Sequence, residues 1–537
     1  MSTRSNPLGS APNRPGTFSR QATGLVRQAS LWDVLIFNVN MQNVAIGVVF
    51  ALLLIPPFYP GANIYLSILF AFIISLPISY VYAELSAVFP RSGGDYVYVS
   101  RIVHPAIGFM SNFSYCVWGV FYIGVSGVFL GIYGIAPLLR VLGAYTGSRS
   151  LADAGNWFGQ PTGNFVMAVG LLVLFVIIFA LGGMRLYFRI QMINFVIATL
   201  GLAAIVVYGF LASRGAAFAN LDQGIRAIGG EPLSSLASGA ATGSSFSLKE
   251  TLYASIWPWL AFNSAIYSTY MGGEVKRAAR NQVFGIMGAL TWAAAWTLIL
   301  TWAMLHLFGN TFFANLGNAD PTQFGLSTTP TFGELTALGV GNALLGLFIM
   351  IGFTLWTYVW IAPYTVLVTR SLLAWSLDRL IPAKLAEVST RANAPVNALL
   401  VILVLGIVSS AFYAFGNLSV LSGTVGLTAS MIVVAFAGVL LPYRKPDVWR
   451  SSPVYGRIAG LPTIAFAGLI SLPLLALIEW ALLADVNSGT SIEGSPGILT
   501  FVLTLFVVGL PIYYVVRALR RRRGVEVDLA YKEIPPE

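Results

Sequence analysis

The chain has 537 residues, of which 57% are hydrophobic and 9% charged, against about 25% charged in an ordinary soluble domain. That composition excludes a cytosolic enzyme and leaves a polytopic membrane protein. The net charge of +10 would suggest nucleic-acid binding in a soluble protein, but here its distribution has another cause, and the lone Cys116 excludes an intrachain disulfide.

Residues 1–29 are mainly Ser, Pro, Gly, Asn and Arg without an apolar core, which predicts a disordered tail and no signal peptide. Ten tracts then run without Asp, Glu, Lys or Arg: 34–83, 105–139, 154–184, 190–213, 251–273, 281–319, 335–369, 392–443, 458–478 and 494–516. A spanning helix needs about 20 apolar residues, so each tract holds at least one. Two tracts are double length. The first contains Pro56-Pro57-Phe58-Tyr59-Pro60-Gly61, read as a turn, and the 392–443 tract a weaker break at Phe415-Gly416-Asn417. Twelve helices are predicted. The polar segments 213–250 and 309–333 read as caps or lids rather than domains.

Cytoplasmic loops retain Lys and Arg. With the N-terminus inside, 25 of the 30 positive residues fall on the inner side, leaving Arg140, Arg149, Arg214, Arg226 and Lys249 outside. This asymmetry accounts for the net charge, and both termini are expected in the cytoplasm of a plasma (inner) membrane protein. Arg520 to Arg523, at the head of a tail over 520–537, are expected against anionic headgroups.

Polar or irregular helix stretches survive in a bilayer only where they face other helices or line a cavity. Helix 1 carries Asn38, Asn40, Gln42 and Asn43 within six residues. Asn38 and Gln42 share one face, Asn40 and Asn43 another. They serve either as interhelical hydrogen-bond glue or as ligand contacts. Helix 6 carries Trp257-Pro258-Trp259 and then Phe262-Asn263-Ser264, Tyr267, Ser268 and Thr269. Its proline removes a backbone donor in mid-membrane, either as a packing kink or as a break. If the chain is a five-plus-five repeat with two extra helices, helices 1 and 6 open the two halves. Interrupted helices at matching positions of two repeats point to a transporter's binding site.

Four further stretches carry a family resemblance: Tyr82-Ala83-Glu84-Leu85 with Phe89-Pro90-Arg91-Ser92-Gly93-Gly94-Asp95-Tyr96, Arg101 and Pro105; Glu274-Val275-Lys276 with Arg280; Arg370 through Asp378-Arg379 to Pro382; and Ala394-Pro395-Val396-Asn397. In this order they resemble the amino acid, polyamine and organocation transporter superfamily over residues 30–445. The resemblance implies an all-α integral membrane fold of twelve transmembrane helices, a leucine-transporter-like 5+5 inverted repeat plus two peripheral helices. The repeats would span 30–212 and 251–443 and the last pair 458–519, within a transporter domain at 30–519. It also implies alternating access around a site between broken helices 1 and 6, with an amino acid or related amine as substrate. The candidate substrate contacts are Asn40, Met41, Gln42, Asn43, Val44, Tyr115, Trp259, Phe262, Asn263, Ser264 and Tyr267. In the family the helix 1 break is glycine-rich and frees amides for a carboxylate. This sequence departs from it, since Met41 to Ile46 contain no glycine, and carboxamides are expected to do part of that work.

Proton-linked relatives carry a helix 5 lysine where Ala198 aligns, and sodium-linked ones a helix 8 Ser/Thr pair where Val359 and Trp360 align. Neither ion site is visible, and Thr354 and Thr357 lie nearby out of register. Glu84, Thr354 and Thr357 are the gate or coupling candidates. Asp95 and Asp378 are expected to act as ion pairs or gate struts beside Arg91 and Arg379, Glu479 to lie at the outer interface, and Asp33 to start helix 1. His104 and His306 are too few for a metal or haem centre, so no cofactor, metal or nucleic-acid partner is expected, and the lipid bilayer is the surrounding partner. Two alternatives stay open: a carrier of another small polar solute (amide, polyamine or nucleobase), and a transporter-like receptor. A membrane enzyme would need clustered acids or histidines inside the spans, which are missing.

Overall fold

The structure is a computed structural model that describes residues 27–238, 245–389, 395–416 and 418–532. The expectations for the first 26 residues, Arg391, Ala394, Asn417 and the last five residues lie outside the described residues. Nine helical runs among the described residues are long and apolar enough to cross a membrane. Away from their ends and interruptions their backbone groups are satisfied within each helix, as hydrocarbon requires, and the described strands form one two-residue hairpin, Arg457–Ile458 against Leu461–Pro462.

The labels of the predicted helices are kept here, and the end that the positive-residue count places inside is called the inner end. Helix 1 is Leu31–Gln42 with Val44–Phe58, helix 2 Ile64–Val88 and helix 3 Pro105–Phe129. The helix 1 turn comes later than expected, because Pro56 and Pro57 fall in the last turn and the helix runs through them to Phe58. Helix 3 passes through a π-helical stretch, Leu130–Ile135, into Ala136–Thr146. It therefore carries Arg140, counted above as an outer loop residue, into the protein.

The tracts expected as helices 4 and 5 form one run, Pro161–Leu211, with a non-helical residue at Gly183 (φ 54°, ψ −154°). Its 51 residues would extend about 76 Å if straight, far beyond the roughly 30 Å hydrocarbon core, so the run must fold back. Tyr208 donates to the Gly339 carbonyl and Asn156, just before the run, to the Gly325 carbonyl, which places both ends by the same outer loop. Gln191, near the turn, instead donates to the Asp33 carbonyl at the inner end. Glycine suits residue 183 because a side chain at that φ and ψ would be strained.

Helix 6 is Leu248–Ala254, Ile256–Phe262 and an irregular continuation, and helix 7 is Ala278–Leu307. Helix 8 comprises Ala343–Thr354 and Ile361–Leu377, followed by Val396–Phe415, Ser422–Arg444, Thr463–Ala484 and Pro496–Arg522 as helices 9 to 12. Helix 7 packs against helices 1 and 2, and helix 11 against helices 10 and 2. Small residues bring backbones together where lipid offers no hydrophobic drive between helices: a Cβ on Gly201 of helix 5 would stand 2.7 Å from Gly352 Cα of helix 8.

Candidate functional site

Helix 1 breaks at Asn43, whose backbone is left-handed (φ 47°, ψ 67°). Asparagine is among the few residues other than glycine that visit this region readily. Its side chain then caps the next segment, Oδ1 accepting from the Ile46 amide at 3.4 Å. One carboxamide thus provides the turn in a stretch without glycine, and the first amides beyond it, at Val44 and Ala45, have no intrahelical acceptor.

Helix 6 is interrupted twice. At Ser255 the α-helix restarts, so that Pro258 stands in a first turn where a missing N–H costs little. The longer interruption lies beyond the proline, where Asn263–Tyr270 and Gly272–Glu274 wind as 3-10 helix. The proline expected to cause the break therefore sits in the intact segment upstream of the longer interruption.

The two interruptions are tied together. Asn38 Nδ2 donates to Ser268 Oγ and the Ser268 amide donates back to Asn38 Oδ1, both at 2.9 Å. Ser268 Oγ donates in turn to Gln282 Oε1 of helix 7 at 2.6 Å, and Gln282 Nε2 to the Ser268 carbonyl at 3.0 Å. For Asn38 the glue reading holds. Asn38→Ala would strand the Ser268 amide, and we expect it to cost about 1–3 kcal/mol, seen as a lower melting midpoint of the purified protein.

Other amides at the break are left over. Asn40 Oδ1, Gln42 Oε1, Asn43 Nδ2 and Asn263 Nδ2 are buried with no hydrogen-bond partner among the described residues. Gln42 Nε2 donates to the Asn38 carbonyl, and Asn263 Oδ1 accepts from Ser264 Oγ at 2.8 Å. Tyr115 and Tyr267 are brought together, ring centroids 5.9 Å apart, with Tyr270 at the same distance from each. Trp259 turns its indole to Thr428 of helix 10, and Phe262 packs on Phe72 of helix 2. Met41 and Val44 are fully buried. All eleven substrate candidates are at most 2% exposed, so the region is closed to both ends.

At the inner end, Gln28 and Ala29 donate to the Glu274 carbonyl and Lys276 donates to that of Ala29. Arg370 pairs with Glu274, and Arg101 with Asp378, each at 2.7 Å. Asp378 thus takes its cation from the loop helix Asp95–Ile102, whereas Asp95, expected as an ion pair or gate strut, accepts from Tyr270 and Asn112. At the outer end a cavity of about 480 Å³ lies between helices 1, 3, 6 and 9, the segment just before helix 10 and the one between helices 7 and 8, its walls including Phe50, Tyr133, Trp257, Thr328 and Tyr413. None of the eleven candidates lines it. Beside it Trp257 donates to the Tyr59 hydroxyl and Tyr59 to Asp485. Burial pushes the Asp485 carboxyl up, opposed by the bond from Tyr59.

The gate candidates lie elsewhere. Glu84 accepts from Thr463 of helix 11 at 3.1 Å. Thr354 ends the first segment of helix 8 and Thr357 lies within its interruption, Thr354 donating to the Gly134 carbonyl in the π-helical stretch of helix 3 and Thr357 to that of Thr354. Asn194 of helix 5 donates to the Leu355 carbonyl and accepts from Tyr358. The sequence reading missed this strut, whose only signal was a carboxamide in an apolar tract. Glu479, expected at the interface, is half-buried in helix 11 with Oε2 unpartnered among the described residues.

Interrupted helices meeting inside a sealed bundle define a membrane transport protein. Residues 30–508 match the amino acid permease family, and the chain belongs to that family. It is 23% identical over 482 residues to the branched-chain amino acid permease BcaP of Lactococcus lactis subsp. cremoris (strain MG1363), covering 87% of this chain and 89% of that one. It is 24% identical over 265 residues to the serine/threonine exchanger SteT of Bacillus subtilis (strain 168), covering 49% and 51%.

Proposed function

We propose that the protein is a secondary transporter that moves a neutral amino acid or related small amine by alternating access, binding it between the breaks of helices 1 and 6. The observation that carries this reading is the set of four amide atoms, unpartnered among the described residues, at two interruptions held side by side by Asn38 and Ser268. An unpaired buried amide group costs about 1–3 kcal/mol, and a bound polar solute removes that cost. No candidate contact is charged, which suits a substrate with an uncharged side chain. The two relatives named above are called a branched-chain amino acid permease and a serine/threonine exchanger, and those side chains are uncharged.

In this reading the chain makes twelve spans, with inverted repeats at 30–212 and 251–443 and a peripheral pair at 458–519. Both termini lie in the cytoplasm of the plasma (inner) membrane, following the positive residues. Glu84, Thr354 and Thr357 act at gates or in coupling. Uptake of labelled amino acids into proteoliposomes, with and without sodium and proton gradients, is the test. Saturable flux that unlabelled substrate competes away is expected; no such flux for any amino acid, amine or small amide overturns the proposal.

A further inference from the structure

Asp95 is 1% exposed and opens the short helix between helices 2 and 3. Its Oδ1 accepts from the Tyr270 hydroxyl at 2.9 Å, from Asn112 Nδ2 at 2.8 Å and from the Tyr96 amide. Its Oδ2 is buried without a partner among the described residues. Tyr270 closes the irregular stretch of helix 6, and Asn112 of helix 3 also reaches Ser371 of helix 8 at 3.2 Å. One carboxyl therefore joins the loop helix to helices 3, 6 and, through Asn112, 8, at the inner closure.

Among the described residues no cation compensates it. The titratable groups that face it are Tyr82 of helix 2, Tyr115 and Cys116 of helix 3, and Tyr270 of helix 6. The nearby arginines are committed, Arg101 to Asp378 and Arg370 to Glu274. A buried carboxylate without a counter-charge is costly, and the neutral acid is the cheaper form.

We propose that Asp95 is a proton-binding site that holds the inner end shut while protonated and lets it open on ionising. The proposal rests on the transport reading for the existence of an inner gate. When helix 6 moves, Tyr270 leaves, water enters from the inner end, and the carboxyl O–H bond breaks with the proton passing to that water. In the closed state burial pushes the Asp95 carboxyl from 3.8 up to about 6, against the bonds from Tyr270 and Asn112. A water-exposed carboxyl returns towards the ordinary value. The closed state thus binds the proton more tightly, so its advantage is complete below the ordinary value and is lost as pH rises through about 6. A gap of about two pH units is about a hundredfold in the ratio of closed to open.

Cys116, the single cysteine, reports on this closure: it is 6% exposed and its Sγ stands 3.8 Å from Asn112 Oδ1. The full-length protein in detergent micelles is labelled with a small maleimide from pH 5 to 7.5, each rate divided by that of SDS-unfolded protein at the same pH. The wild-type ratio is expected to rise by up to about tenfold with a midpoint near 6, and Asp95→Asn to stay flat at the low-pH level. Tyr270→Phe removes a donor to the carboxylate and should move the midpoint up. A flat wild-type profile, or the same rise in Asp95→Asn, overturns the proposal. If Asp95→Asn does not fold, an unmoved Tyr270→Phe midpoint overturns it. Labelling needs no substrate, so its failure is distinct from a failure of the flux test.

Discussion

Replacing Glu334 by glutamine is expected to lower the melting midpoint of the purified protein more than the other changes considered, through a loss of about 3–5 kcal/mol. Arg140 and Glu334 are both 0% exposed and paired in two parallel bonds, Nε to Oε1 and Nη2 to Oε2, at 2.7 Å. Both guanidinium Nη atoms also reach Thr328 Oγ1 at 3.1 Å. Glutamine keeps the volume and removes the charge, leaving a buried arginine uncompensated. Replacing both partners with apolar residues of similar size, Arg140→Met with Glu334→Leu, should recover much of the loss, because the pair's own desolvation is expensive. Melting curves of the single and double variants form the cycle that checks this. Thr328 also lines the outer cavity, so the single variant should release that wall and alter uptake kinetics.

Asn43→Leu should abolish saturable binding in a protein that still folds. Leucine removes the unpartnered Nδ2 and the cap on Ile46, and in the left-handed region it costs about 1–2 kcal/mol. Asn43→Gly separates the two effects. It keeps the turn and loses only the amide, so stability should hold while affinity falls by about tenfold or more, in line with one lost buried hydrogen bond. Asn263→Leu acts on the other interruption and should lose binding likewise. Ligand-dependent thermal shift and competition of labelled uptake measure both. Unchanged affinity in Asn43→Leu and Asn263→Leu moves the site away from the breaks while leaving the family assignment intact.

The interruptions were legible because their cause is local. Four carboxamides in six residues, or Pro258 ahead of Asn263, are too polar or too irregular for a lipid-facing helix, and their sequence alone says so. The position of the helix 6 break was legible only coarsely. Proline is tolerated in a first turn, so the helix restarts just before it and unwinds only after Phe262. The fates of Trp259 and Phe262 were not legible at all. Which way a side chain faces in a helix buried all round carries no periodicity signal, and Thr428 and Phe72, their partners, lie far along the chain.

Charged residues divide in the same way. Counting Lys and Arg gives an expected orientation because insertion reads only loop charge, and that count treated Arg140 as one more outer residue. Its burial follows from helix 3 continuing through a π-helical stretch past residue 135 to meet Glu334, 194 residues further on. Asp95 looked like a loop acid beside Arg91, and only the packing shows it closed in by Tyr270 and Asn112 with no cation against it among the described residues.

The sequence by itself determined that this chain lies in a bilayer, roughly where its helices run and where two of them falter, because hydrophobicity, charge and proline act over single turns. The tertiary structure alone decided which amides are spent as glue and which stay without a partner among the described residues, and which acid is closed in by hydroxyl and amide donors. Those outcomes depend on partners brought together from distant parts of the chain, where the low dielectric makes each pairing, or its absence, count.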